Sequence, residues 1–149
     1  LRLVGPLEDL VKKVIQEVFY VLFQNRGLLL LFNNMIARQI ASTDAGVHEG
    51  EYSPLFAKPG VLKRVAIPIW VKRAVFFRDR GLCVICHRDL SGTTSIGNLE
   101  QYDHIVPLAQ GGLNDVSNIQ LLCQECNLKK RDKDAETSDL YEAWYSLDE

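Results

Sequence analysis

Cys83-Val84-Ile85-Cys86 and Cys123-Gln124-Glu125-Cys126 use all four cysteines of the 149-residue chain. Two residues between thiolates let a tight turn aim both sulfurs at one ion. Two such turns complete a tetrahedral S4 set of the kind that zinc favours. A closed set has no open position, so its task is structural: it ties 83–86 to 123–126 across 36 intervening residues and supports a domain too small to rely on its core alone. His87 beside the first pair reads as an outer or surface group. Between the pairs lies Tyr102-Asp103-His104-Ile105-Val106-Pro107, followed by Gly111-Gly112, Asn114 and Asn118-Ile119; Asn127 and Lys130 follow Cys126. Phosphodiester cleavage needs a base for water, a cation against phosphate and leaving-group charge, and donors that position the backbone. His104 suits the base, because imidazole titrates near neutral pH. Asp103 and the amide oxygen of Asn127 are hard oxygen ligands suited to magnesium. Lys130, one turn after Asn127, can meet a phosphate. Adjacent Asp and His on a strand point to opposite faces unless the strand is distorted, and Pro107 with the Gly-Gly loop fits such a distortion.

The pattern CxxC, DHIxP, GG, N-I-x-x-L-C-x-x-C-N-x-x-K resembles the HNH endonucleases, the ββα-metal nucleases, over about residues 68–131. The resemblance implies that His104 is the general base and that Asn118 holds the loop between the strands and so fixes that base. It implies that Asn127 is the helix-borne metal ligand. Many members have His there, which makes this chain an H-N-N variant and shifts preference toward magnesium or manganese. It also implies 5′-phosphate and 3′-hydroxyl products.

Charge is uneven along the chain. The net charge is −2, but residues 63–133 carry 11 basic and 7 acidic side chains, and residues 134–149 carry 6 acids and no base. A basic block suits a polyanion-binding surface. The nucleic-acid contacts expected on it are Lys129, Lys130 and Arg131 on the closing helix, and Lys72, Arg73 and Arg78 on the helix before the first cysteine pair. DNA is the expected partner. Contacts to the phosphate backbone carry no base information.

Several elements must position these residues. Leu7, Leu10, Val11, Val14, Ile15, Val18 and Leu22 recur at helical spacing and predict a helix over 7–25. Gly27 interrupts, and 28–42 reads as a second helix. The apolar content of this helical hairpin points to packing on the nuclease domain, on a second copy, or on a larger parent protein. Residues 43–60, with three Gly or Pro near their end, read as linker, with His48 as a solvated loop residue. Pro68 opens a helix of about 69–80 that Gly81 caps. Leu99–Val106 and Ile119–Leu122 are strand candidates, and Gln124–Asp132 a helix. The expected class is α+β: a zinc-knuckled ββα-metal nuclease domain over 61–133, preceded by a helical accessory or assembly segment (1–45) and a linker (46–60). An acidic tail (134–149) follows, with one short helix at about 138–146, free to fold back over the basic groove.

The apolar stretch Val18–Phe32 is broken by Gln24, Asn25, Arg26 and Gly27, which excludes a membrane span. No secretory signal is visible, so a reducing cytoplasm, prokaryotic or phage-like, is the expected setting, with restriction or phage defence among the contexts. Two rival readings remain at this point. One is a non-catalytic zinc-ribbon module that binds nucleic acid. The other is an interaction module whose apolar helices carry the function.

Overall fold

The structure, a computed structural model, describes residues 5–42, 53–92 and 99–140. His48 and most of the expected tail helix lie outside these residues. Eight elements follow in order: helices α1 (Pro6–Phe23) and α2 (Arg26–Ser42), strands β1 (Phe56–Lys58) and β2 (Val61–Leu62), helix α3 (Ile69–Arg78), strands β3 (Glu100–His104) and β4 (Ile119–Cys123), and helix α4 (Gln124–Lys130). Short 3₁₀ turns cover Ser53–Leu55, Leu108–Gln110 and Val116–Asn118. The class is α+β, with two two-stranded antiparallel sheets, β1–β2 and β3–β4. No helix among the described residues is long and apolar enough to cross a membrane.

Local chemistry sets the boundaries. Pro6 occupies the first helical position, where its missing N–H costs nothing. Asn25 divides the two N-terminal helices, because its Oδ1 accepts the Leu28 N–H at 2.8 Å and caps α2. Gly81, at φ 66°, donates its N–H to Phe76 O at 2.9 Å and closes α3. β3 and β4 pair in regular register from Glu100↔Cys123 to His104↔Ile119. The expected distortion at Asp103-His104 is therefore absent. β3 instead stops at His104, and the chain turns there.

The core joins α2, α3, the first cysteine turn and β4 through Leu29, Val71, Val75, Val84, Leu90, Ile105, Leu121 and Leu122. A buried polar hub crosses it. Asp79 accepts from Arg78 Nε (2.8 Å) and Nη2 (2.9 Å), from Arg26 Nη1 (3.2 Å) and from the Leu121 N–H (3.0 Å). Arg78 also donates to Ile119 O at 2.7 Å and lies 4.9 Å over the Phe23 ring. Arg26 also donates to Ser138 O (2.5 Å) and Leu140 O (2.7 Å). The N-terminal helices and the C-terminal strap are thus fastened to one carboxylate.

The two N-terminal helices form and touch each other, with Phe23 the buried residue of α1. Three expectations change. Residues 53–60, expected as the end of a linker, instead carry a 3₁₀ turn and strand β1, which pairs with β2. Residues 133–140 contain no helix. They are strapped down: Gln110 Nε2 donates to Lys133 O, Gln120 Nε2 donates to Glu136 O at 2.8 Å, and the Glu136 N–H donates to Ile105 O at 3.2 Å. This part of the acidic tail is not free to compete for a groove. Arg78, finally, is 3% exposed and is held in the hub through Nε and Nη2. It cannot contact nucleic acid, because a guanidinium leaving that hub would strand a buried carboxylate.

Asp79→Ala would remove the carboxylate that two buried guanidiniums share. Denaturant unfolding should show a loss of about 3–5 kcal/mol. Arg88→Ala, which breaks the exposed 3.0 Å pair with Glu125, should leave the unfolding midpoint nearly unchanged, because water screens such a pair.

Candidate active site

Two turns carry the four cysteines. In the first, the Cys83 N–H donates to Arg88 O at 2.9 Å and the His87 N–H donates to Cys83 O at 2.8 Å. His87 takes a positive φ of 59° to complete it. The second is the start of α4, where the Cys126 N–H donates to Cys123 Sγ at 3.4 Å. Val84 N–H to Leu121 O, 3.0 Å, sews the first turn to β4. The sulfurs of Cys83, Cys86, Cys123 and Cys126 all lie within 4.8 Å of one another. Cys86 and Cys123 are 3.7 Å apart, and a tetrahedron with zinc–sulfur bonds of about 2.3 Å has edges of about 3.8 Å. The donor set fits zinc. Burial pushes the Cys123 thiol up, but the Cys126 N–H and the neighbouring sulfurs outweigh it and hold that thiol below its usual range.

About Cys123 and β3 lies the second constellation. Asp103, His104 and Asn127 line one open groove of about 700 Å³, together with Arg64, Tyr102, Leu128 and Arg131. Asp103 and His104 both line it, although β3 keeps its register through His104. His104 also walls a smaller apolar cavity of about 150 Å³ beside Ile67, Trp70 and Val116. The imidazole is 1% exposed, and neither ring nitrogen makes a well-formed hydrogen bond among the described residues, although the Asn114 side chain comes close enough to act on the ring. Burial holds its pKa below 6.5, and the Arg64 charge adds to this; Asp103 and the Asn114 side chain oppose, while Lys130 again lowers it.

The loop after His104 is held by Asn118, which is fully buried. Its Oδ1 accepts the Val106 N–H at 2.9 Å, and its Nδ2 donates to Val106 O and Leu113 O, each at 2.9 Å. The Ile105 N–H donates to Asn118 O at 2.7 Å. Gly112 lies so close beneath that any Cβ there would overlap Val106 O. Gly111, at φ 87°, abuts Ala37 of α2, whose carbonyl oxygen a Cβ would approach to 2.8 Å. Asn33 of α2 donates from Nδ2 to Ser117 O at 3.1 Å. α2 is thus a floor under the loop that carries Asn118.

Lys130 departs from expectation. It is 2% exposed, and its Nζ donates to Asp103 Oδ2 at 2.8 Å and to His104 O at 2.7 Å. It braces the site from within and is not free to meet a phosphate. Of the other expected contacts, Lys129, Arg131 and Arg73 are exposed, and Lys72 lies 5.6 Å over the Tyr102 ring. Arg64 was missed. It precedes the motif by sequence and carries no pattern of its own; only folding brings it to the groove.

Residues 83–133 match the family model described as HNH endonuclease. Over this segment the chain is similar to the HNH endonucleases. No curated protein and no solved structure matches the chain. The HNH segment covers both cysteine pairs, Asp103, His104, Asn118 and Asn127. The floor helix α2, the hub residues Arg26, Arg78 and Asp79, and Arg64 lie outside it.

Elemental analysis of the purified chain should find one zinc. Cys123→Ser should abolish both zinc and the cooperative unfolding transition, since binding and folding are coupled in such sites. A lowered His104 pKa means that the native state favours the neutral ring. Its share of stability is therefore present above pH 6.5 and is lost as pH falls through the lowered value. An NMR titration of His104 should give a midpoint below 6.5; a midpoint above it would contradict the burial argument.

Proposed function

We propose that the HNH segment hydrolyses phosphodiester bonds, with DNA as substrate and His104 as general base. One observation carries this reading: a buried imidazole with no well-formed hydrogen bond at either nitrogen lines a groove that also holds Asp103 and Asn127. Buried polar atoms are normally satisfied, and a base waiting for substrate water is a reason for the exception. The lowered pKa keeps the ring neutral, the form that accepts a proton, at neutral pH.

Asp103 and Asn127 offer a carboxylate and an amide oxygen that fit magnesium or manganese. Lys130 engages only Oδ2 of Asp103. A divalent cation bound there would offset charge on the phosphate and the leaving oxygen. The protein's own groups do the rest. His104 takes the proton of water. Asn118 fixes the turn that aims His104. Lys130 holds the carboxylate and the His104 carbonyl in one arrangement. Arg64 and Arg131 line the groove on either side of the motif in sequence and supply cations for the backbone phosphates. Lys129, Arg73 and Lys72 extend that charge. The resemblance implies products with 5′-phosphate and 3′-hydroxyl ends. Zinc at the four cysteines has a structural task only, because four thiolates leave no open position.

The alternative, a non-catalytic zinc-ribbon that binds nucleic acid, draws on the Lys130–Asp103 pair, which already neutralises the carboxylate.

A magnesium-dependent plasmid-nicking assay decides between them. His104→Ala should lower the rate by about 10²–10⁴-fold with DNA affinity and zinc content unchanged. A wild type that binds but never nicks would support the alternative. Asn127→Ala should raise the magnesium concentration needed for half-maximal rate. Arg64→Ala should weaken binding to all sequences alike and reduce the slope of log affinity against log salt by about one unit. Lys130→Ala should instead lower the melting temperature.

A further inference from the structure

α1 is anomalous for a helix in water. Of its 18 residues only Phe23 is buried, and Leu7, Val14 and Ile15 are 54%, 50% and 62% exposed. The exposure is organised. A polar stripe of Glu8, Asp9, Lys12, Lys13 and Gln16 runs down one side, and an apolar stripe of period 3.6 runs down the other. Isolated apolar side chains on a surface need no explanation, but a contiguous stripe of this kind marks a contact.

We propose that this stripe pairs with the same stripe of a second copy of the chain, the two α1 helices running antiparallel about a two-fold axis that passes between Val14 and Ile15. Three observations choose this occupant. First, the stripe is its own complement. Inverted about that point, Leu7 falls opposite Leu22 of the second copy, Val11 opposite Val18, and Val14 opposite Ile15. An isologous contact requires such self-matching. Second, charge agrees. Lys13 and Glu17 are four residues apart and flank the same edge of the stripe. In an antiparallel pair like edges meet, so each Glu17 lies within one residue of the other copy's Lys13, twice by symmetry. Third, the area suffices. With Leu10 and Phe19 included, the exposed fractions amount to roughly 700 Å² per copy, close to the roughly 800 Å² per partner of a standard interface. The polar side of α1, with Glu17 at its edge, holds three acids and two lysines. A lipid surface is less suited to it, since helices that lie in a membrane interface are rich in Lys and Arg.

The pairing does not depend on nuclease chemistry. Its consequence is that two HNH segments travel together, one for each strand of a duplex.

Sedimentation equilibrium on the full 149-residue chain should give twice the 16.9 kDa monomer mass. Lys13→Glu and Glu17→Lys should each weaken dimerisation about tenfold or more, because like charges then face each other twice. An equimolar mixture of these two variants should restore the wild-type affinity, since each supplies the charge that the other lacks. Far-UV circular dichroism confirms that each variant keeps its helix. A monomer at about 100 μM, where even a weak specific dimer would form, overturns the proposal. So does a dimer unmoved by either variant, which would place the contact elsewhere. A mixture that fails to restore affinity excludes the antiparallel register.

Discussion

Asp79 is a carboxylate with no access to water that holds two arginines and a strand amide. Its environment explains why distant parts of the chain must fold together. Arg26 reaches it from the start of α2, Arg78 from the end of α3, and the Leu121 N–H from β4. Leu121 O in turn receives Val84 of the first cysteine turn. A buried carboxylate without partners costs several kcal/mol, and so does a buried guanidinium. The helical segment before the HNH segment is therefore bound to it by charge as well as by apolar packing. The same logic removes Arg78 from any nucleic-acid surface.

The candidate site inherits its rigidity from this frame. β4 is fixed by the hub and by the cysteine turns, and β3 is fixed by pairing with β4. α2 lies beneath the loop that follows, with Asn33 on Ser117 and Ala37 against Gly111. Asn118 then closes the loop on itself by both sides of one amide. Neither nitrogen of the His104 ring makes a well-formed hydrogen bond among the described residues. A loop held by several hydrogen bonds beside a ring left open for substrate is what preorganisation requires.

Charge along the sequence and charge on the surface prove to be different quantities. Residues 63–133 carry an excess of basic side chains, yet Lys130 and Arg78 spend theirs inside the protein. The groove is served by Arg64 and Arg131. A lysine one turn after a metal-ligand position reads naturally as a phosphate contact. Packing decided otherwise, because the α4 face that presents Asn127 to the groove turns Lys130 into the gap between Asp103 and the His104 carbonyl.

The sequence by itself determined the cysteine set, the family of the segment, and the residues gathered at the groove. These are fixed by short spacings: two residues between thiolates, adjacent residues at a strand end, one turn of helix. Asn118 was legible through the same pattern, and its bonds to the loop are those expected. Helices α1 to α4 followed from periodicity, proline and glycine to within a few residues. Only the tertiary structure decided which charges are buried, that β3 ends at His104 without distortion, that α2 supports the loop, and that Arg64 joins the groove. Each of these joins residues far apart in the chain, such as Arg26 with Asp79 or Arg64 with His104. No local spacing encodes such a pairing. It is selected when the whole core closes and every buried polar group must find a partner at once.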